Sequence, residues 1–431
     1  MPRTILVWFK NDLRLRDNET WYRACQQADR VIPLYVFDPR QFVPHKLGFP
    51  RTGSFRAQFL IESVIALREK LRAIGSDLVV KIGLPEFVIP KICTENQVSD
   101  VFTRSEITDE EMRISSAVAH SIALKNIAFT TFETTTLLHP ANLPFAIGEL
   151  PDQFTIFRKA VERNFKIQLP FEEPEVKPLP SIDSDKIPTL QDLGLPKAEP
   201  DPRSVITYAG GEAAALRRMQ EYLWDKDLLK TYKETRNGLI GPDYSSKFSP
   251  ALSLGCLTAR TIYYKVKKYE QARVANDSTY WLIFELLWRD YFRFVAAKYG
   301  NKIFKAQGIR KKETRWQHDI KKFEAWRTGN TGVAFIDANM KELLLTGFMS
   351  NRGRQNVASF LTKDLSIDWR WGAAWFESQL MDYDVCSNWL NWAYVAGVGN
   401  DPRENRYFNT ESQVRKYDPK NRYSNLWLSG S

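Results

Sequence analysis

The chain has 431 residues, 43% of them hydrophobic and 26% charged, which is long enough for two domains and a sizeable core. Lys and Arg outnumber Asp and Glu by 61 to 51, and no run of about 18 apolar residues is present, which excludes a bilayer-spanning helix. The four cysteines (Cys25, Cys93, Cys256, Cys386) have no metal-ligand spacing, so no metal site is expected and they read as free thiols of a reducing compartment.

The charge excess is uneven. Residues 205–431 carry 35 basic and 24 acidic side chains (+11), whereas residues 1–204 carry 26 and 27 (−1). A basic C-terminal part suits a surface that meets phosphates; a generally solvated basic surface is the alternative. Eleven of the thirteen tryptophans share that part. Aromatics interleaved with basic residues stack unpaired bases or a flavin, or else fill a helical core. No signal peptide opens the chain, so a soluble intracellular protein is expected, cytoplasmic or in another internal compartment and not secreted. The closing Ser-Gly-Ser reads as a linker scar or truncation.

From the N-terminus, ILVWFKN (5–11), VIPLYVFD (31–38), DLVVKIG (77–83), VSDVFTR (98–104) and NIAFTTFE (126–133) are short apolar, β-branched runs. Helix-like segments such as 54–74 and 108–124 lie between them. Such alternation predicts a parallel sheet in an α/β domain over 1–140. FKNDLRLRDN stands where a GxGxxG turn would follow the first strand, so a dinucleotide clasped in the ordinary Rossmann manner is not expected. GVGND (397–401) has neither a preceding strand nor a third glycine, and reads as a loop.

Residues 141–204 read as an interdomain linker, with eight prolines between Pro170 and Pro202 implying an extended connector. Beyond it, 212–229, 257–269, 279–299 and 357–365 have helical patterning without a convincing strand pair, so 205–428 is predicted all-helical.

Tyr232 and TRNGLIGPDYSSKFSP (235–250) open the chemistry of this domain. Backbone N–H groups and hydroxyls in such a turn can cradle a pyrophosphate, with Lys247 offsetting its charge; a capped loop opening the next helix is the alternative. A KMSKS-type reading fails, because no HxGH partner stands near the first helix. FELLWRDYFRF (284–294) sets Glu285, Trp288 and Arg289 on one helix face, where Glu285 and Arg289 alone would form an i,i+4 ion pair. GFMSNRGRQNVASFLTKDLSIDWRWGAAWFESQLMDYDVCSNWLNW (347–392) mixes five tryptophans with Arg352, Arg354, Asp382 and Asp384. Such a mixture is a costly core, and reads either as an amphipathic helical pair or as the wall of a pocket for a large, flat, charged cofactor.

NRGRQNVASFLTKDLSIDWRWG, DYDVCSNW and GNDPREN (399–405) resemble the flavin-binding core of the photolyase and cryptochrome family. Gln355 and Tyr394, with DVCSNW, resemble its DASH cryptochrome branch. The likeness runs from the first strand to about Trp427, and the order of α/β domain, linker and helical domain is the family's own.

The resemblance implies FAD as cofactor and blue-light repair of cyclobutane pyrimidine dimers, preferentially in single-stranded DNA, by a monomer. A photoreceptor without repair activity is the alternative. Tyr232, Ser245, Ser246, Lys247, Phe248 and Ser249 match the residues that hold the FAD diphosphate. Glu285 and Trp288 match the lesion side, where a carboxyl bonds the thymine edges and the indole stacks on a flipped-out dimer; Arg289 faces the flavin. Asn351, Gln355 and Tyr394 fall among the matched active-site positions. Arg354 matches the partner of Asp382, with Asp384 beside it, and Asn388 the residue facing flavin N5. Trp392, Trp369 and Trp316 match an electron-transfer chain from flavin to surface. Glu106, in SEITDEEM (105–112), is the candidate contact to an antenna folate, 5,10-methenyltetrahydrofolate; charged residues at a strand end are the alternative. A (6-4) activity is not implied, since His45, His120, His139 and His318 all lie outside the flavin motifs.

Two departures stand out. Leu390 replaces the glycine usual in the SNWxNW turn, and either intrudes on the pocket or, as favoured here, points outward. The chain also stops soon after Trp427, short of the family's usual end, which would remove packing and not these motifs.

Overall fold

The computed structural model describes residues 2–164, 166–311, 314–403 and 406–429. Part of the GNDPREN motif (Glu404, Asn405) and Gly430 and Ser431 of the closing tripeptide lie outside them.

The five apolar runs form one parallel sheet: β1 (Thr4–Phe9), β2 (Arg30–Phe37), β3 (Val79–Ile82), β4 (Asp100–Arg104) and β5 (Ala128–Phe132), in the order β3-β2-β1-β4-β5. Central β1 is buried along its whole length, as a strand covered on both faces must be. Its register pairs Ile5 with Val31 on one side and with Asp100 on the other. Helices α1 (Glu19–Gln27), α2 (Ser54–Ala73), α3 (Pro85–Glu95) and α4 (Asp109–Ala123) make the crossovers.

The stretch between the domains is only partly a linker. Residues 154–162 form a helix, α5 (Phe154–Glu162), whose Phe154, Phe157 and Val161 are buried. Its apolar residues recur at i, i+3 and i+7, a helical stripe within the segment expected to be linker. The proline-rich part is extended, as its composition predicts. Pro178 O accepts from Val31 N at 3.2 Å, and Asp185 N donates to Val80 O at 2.8 Å, so it runs along the sheet.

The rest is helical: α6 (Glu212–Gln220), α7 (Tyr232–Thr235), α8 (Ser249–Ser253), α9 (Ala259–Ala272), α10 (Asp277–Tyr299), α11 (Ile320–Arg327), α12 (Ala334–Thr346), α13 (Asn351–Ser359), α14 (Trp369–Gln379), α15 (Val385–Ala396), α16 (Thr410–Tyr417) and α17 (Arg422–Leu428). Two predicted helices, 212–229 and 357–365, end in π-helical turns over Glu221–Asp225 and Phe360–Asp364. Asn276 starts α10 with a reciprocal capping box to Thr279.

The two domains meet closely. Gly255, with φ +68°, lies against the Asn11 backbone, where any Cβ would overlap it. Arg260 pairs with buried Asp17 at 2.7 Å, and Asp290 of α10 accepts the Leu137 and Leu138 N–H groups.

Candidate functional site

A cavity of about 530 Å³ opens inside the helical domain, walled by α10, α13, α15 and the 244–249 loop. Of the predicted site residues, Tyr232, Ser245 to Ser249, Glu285, Trp288, Arg289, Asn351 and Arg354 line it. Gln355, Asp382, Asp384, Asn388, Trp392 and Tyr394 complete that set. None of the four histidines does.

The 244–249 loop is tied down from below by a residue that sequence reasoning missed. Buried Arg218 donates from Nη2 to Pro242 O (3.0 Å) and from Nε to Ser246 O (3.3 Å). Tyr208 Oη donates to Lys247 O at 2.5 Å. Lys247 takes the left-handed conformation (φ 59°), which turns a lysine into the interior. Its Nζ meets the Ser245 hydroxyl at 3.1 Å and the face of Tyr244, with no carboxylate among the described residues in ion-pair range. Burial pushes its pKa well below the ordinary lysine value, against the attraction of Glu342, and Arg218 and Arg354 add to the push. A buried ammonium without a counter-ion on a cavity wall is a seat for an anion.

Across the cavity, Arg354 Nη2 and Ser249 Oγ both donate to Asp382 Oδ2, at 2.8 and 2.6 Å. Asp382 Oδ1 is buried without a partner, which leaves one acceptor unsatisfied on a residue of the cavity wall. Asp384 caps α15, accepting from Ser387 N at 2.8 Å. Burial alone would raise its carboxyl; Arg289, the Ser387 hydroxyl and N–H, and Arg293 together hold it below the usual value. Asn388 donates Nδ2 to Ala373 O at 2.9 Å, which leaves its Oδ1 as the unused acceptor.

Glu285 does not pair with Arg289. Arg236 takes it, Nη2 to Oε1 at 2.7 Å, with Trp281 Nε1 on the same oxygen at 3.1 Å. Arg289 instead donates to Thr135 O (2.7 Å) and Leu252 O (3.3 Å), where it joins the domains. With Arg236 on the Glu285 carboxylate, Arg289 is left to serve main-chain carbonyls at the domain boundary. Burial raises the Glu285 carboxyl above its ordinary value, although Arg236 and Trp281 pull it back.

Trp288 and Tyr394 meet at right angles, ring centroids 6.1 Å apart and planes at 89°, and so form a corner of the cavity. Arg406, another residue the sequence did not single out, pairs with Asp401 and donates to Tyr394 Oη at 3.0 Å. Gln355 accepts from Arg352 Nη1 at 2.8 Å.

Behind the cavity, Trp392 lies across Gly372, where any Cβ would overlap its ring. Trp369, one turn earlier in α14, is fully buried. A bridge between Gln317 and Ile367 draws half-buried Trp316 toward the start of α14. The cavity does not include Glu106. Its carboxylate is buried beside β4, bonded to Arg104 at 3.0 and 3.1 Å and to Lys10 at 3.5 Å. Burial would raise it, but Arg104 and Lys10 outweigh burial and hold it at about 2.

The donor set fits a dinucleotide with a flat ring system: a buried ammonium on a hydroxyl-rich loop, a guanidinium–carboxylate pair with one open oxygen, and indoles along the far wall. Residues 281–430 match the FAD binding domain of DNA photolyase, and residues 5–178 match DNA photolyase. Cryptochrome DASH of Gloeobacter violaceus is 54% identical over 427 residues, spanning 99% of this chain and 85% of that protein. The chloroplastic/mitochondrial cryptochrome DASH of Arabidopsis thaliana is 47% identical over 98% of this chain and 75% of its own length. The crystal structure of a Synechocystis cryptochrome superposes with a TM-score of 0.96 at 52% identity, covering 99% of this chain and 89% of that one. The helical domain is therefore an FAD-binding domain.

Proposed function

This chain belongs to the cryptochrome DASH branch of the photolyase/cryptochrome family, and from that premise we propose that it splits cyclobutane pyrimidine dimers in single-stranded DNA under blue light. The observation that carries the proposal is the perpendicular Trp288–Tyr394 corner with Glu285 on the same wall, inside the cavity that also holds the FAD anchors. A bent pair of linked pyrimidine rings suits two ring faces at a right angle.

The chemistry that FAD would supply here, when bound and reduced, is light-driven electron donation to the cyclobutane ring with return of the electron. The chain's part is to bind, orient and polarise. Lys247 and the loop from Ser245 to Ser249 hold the diphosphate, and Tyr232 packs beside it. Arg354 with Asp382, and Asp384 next to them, would hold the polar edge of the isoalloxazine; Asn351 completes the wall. Asn388, with Nδ2 committed to Ala373 O, would offer Oδ1 to a protonated flavin N5 and so favour that proton. Trp288 takes one pyrimidine on its face, and Gln355 and Tyr394 border the second. Glu285, fixed through Oε1 by Arg236 and Trp281, keeps Oε2 for the base carbonyls. Its raised carboxyl holds a proton more readily, and a donor aimed where negative charge develops stabilises the electron-bearing dimer.

The +11 charge of residues 205–431 supports a DNA strand as partner. Affinity should fall steeply with salt, by counter-ion release. A monomer in an intracellular compartment is part of the same proposal, as is the division at 1–140, 141–204 and 205–428. Among the described residues no helix is long and apolar enough to cross a membrane. An antenna folate remains with the surroundings of Glu106, although a contact through that carboxylate requires giving up part of its bond to Arg104 or Lys10.

Blue-light photoreception without repair is the second reading, favoured by the Trp392, Trp369 and Trp316 series leading outward from the cavity. Both are tested by illuminating a single-stranded oligonucleotide with one thymine dimer, using FAD-loaded, chemically reduced protein and a dark control. Light-dependent recovery of thymines supports repair. Bound, reduced flavin with no splitting removes it and leaves photoreception.

A further inference from the structure

Trp288 presents one face to the cavity, and its other face is taken. Phe154, at the start of α5, stacks on it with centroids 3.7 Å apart and planes 13° from parallel. Phe154 is itself buried and stands outside the cavity lining. It also meets Phe284 edge-on at 5.2 Å and 87°. We infer that Phe154 is a positioning residue for the pyrimidine-stacking face of Trp288, which makes α5, a segment between the two domains, part of the substrate site.

The χ2 torsion of a tryptophan is broad, so a half-exposed indole beside an open cavity has freedom to tip. Parallel contact with Phe154 behind and the perpendicular Tyr394 in front leave it one orientation. The stack also denies the rear face to any base, so a pyrimidine has a single face to occupy.

Helix α5 is held firmly enough for this task. Arg158 Nη1 donates to Tyr280 Oη at 2.5 Å, and Tyr280 Oη donates to Glu162 at 2.6 Å. Just before α5, Tyr291 Oη donates to Pro151 O (3.0 Å) and Lys298 Nζ to Leu150 O (2.6 Å), fixing the turn that leads into the helix. Every one of these partners, Tyr280, Tyr291 and Lys298, lies on α10, the helix that carries Trp288.

This inference rests on Trp288 receiving the dimer. The test is therefore the ratio of dark binding to a dimer-containing and to an undamaged single-stranded oligonucleotide, for FAD-loaded protein. The variants are Phe154→Leu, Phe154→Tyr and Trp288→Leu. Losing one aromatic stack is expected to lower the ratio about 5- to 10-fold in Phe154→Leu. Phe154→Tyr should restore it, with flavin occupancy and affinity for undamaged strand unchanged in the Phe154 variants. If Phe154→Leu does not fold, Phe154→Met carries the same expectation. The inference is overturned if Trp288→Leu lowers the ratio and Phe154→Leu does not, or if Phe154→Leu acts only by losing flavin. If neither variant changes the ratio, the stacking role of Trp288 falls and this inference with it.

Discussion

Trp316 and Trp369 donate their indole N–H groups to one acceptor, the carbonyl oxygen of Ala306, each at 3.2 Å. A shared acceptor draws the two indole N–H groups to one point and places partial negative charge where either ring would carry a positive hole. Trp392 adjoins the same helix across Gly372. Sequence spacing gives no hint of this, since the three residues are 53 and 23 positions apart.

The expected consequence concerns light-driven reduction of bound FAD by an external thiol. Trp369→Phe, which breaks the middle of the series, should slow it at least about 10-fold, because phenylalanine is far harder to oxidise than indole. Dimer splitting by protein already reduced with dithionite should be unaffected. Visible absorbance under blue light reads the first rate. Undiminished photoreduction in the variant would show that electrons reach the cavity by another route.

Asp382 carries two donors on Oδ2 and none on Oδ1. Asp382→Asn keeps the shape but removes the charge that Arg354 answers, and Arg354 is only about a quarter exposed. Breaking such a pair from one side costs about 3–5 kcal/mol when fully buried, and less here because the guanidinium reaches solvent. FAD affinity is expected to fall about 10- to 100-fold, read as fluorescence of released flavin on dilution. Native affinity in this variant would mean that the pair serves packing alone.

Much of this architecture was legible because the signals are local. Central β1 and β2, buried almost throughout, read as apolar runs, and the partly exposed β3 and β5 were found from their short β-branched runs between helix-like segments. The flavin-wall residues cluster within 347–394, where one resemblance covers them together. What stayed hidden depends on chain returning from afar. Phe154 reaches Trp288 over 134 residues, Arg218 holds a loop some 25 residues onward, and Arg236 rather than Arg289 claims Glu285. No periodicity records such partners.

Leu390 was readable and misjudged. Asn388 and Trp392 share a face of α15 at i and i+4, so the residue midway between them turns about 200° from Asn388. The structure buries Leu390 completely, inward and away from the cavity, in the core that includes Leu286 and Tyr291. It points neither into the pocket nor out to solvent. Leu390→Ala should therefore cost about 2–5 kcal/mol of stability, as buried leucines do, with no gain in dimer affinity. Denaturant midpoints and oligonucleotide titrations measure the two effects separately. Tighter dimer binding by the variant would put Leu390 back on the lesion path.

Glu342 yields a prediction in pH. It is fully buried on α12, accepts from Tyr423 Oη of α17 at 2.6 Å through Oε2, and has no partner on Oε1. Burial pushes its carboxyl up to about 7, against the pull of Tyr423, Lys247 and Arg354; Tyr244, also buried, is the other titratable group facing it. The folded chain thus holds this proton between about pH 4.5 and 7 while the unfolded chain releases it, so stability from this group falls as pH rises through that window. It is fully present below 4.5 and gone above 7, a change of at most about 3 kcal/mol. Lys247, lowered by burial, acts in the opposite sense, so the informative quantity is the difference between Glu342→Gln and the native chain at each pH. Flavin-free Glu342→Gln is expected to match the native chain near pH 4.5 and to exceed it above pH 7, by urea midpoint. A difference that stays constant from pH 5 to 8 would mean that the folded chain holds the Glu342 proton no more tightly than the unfolded one.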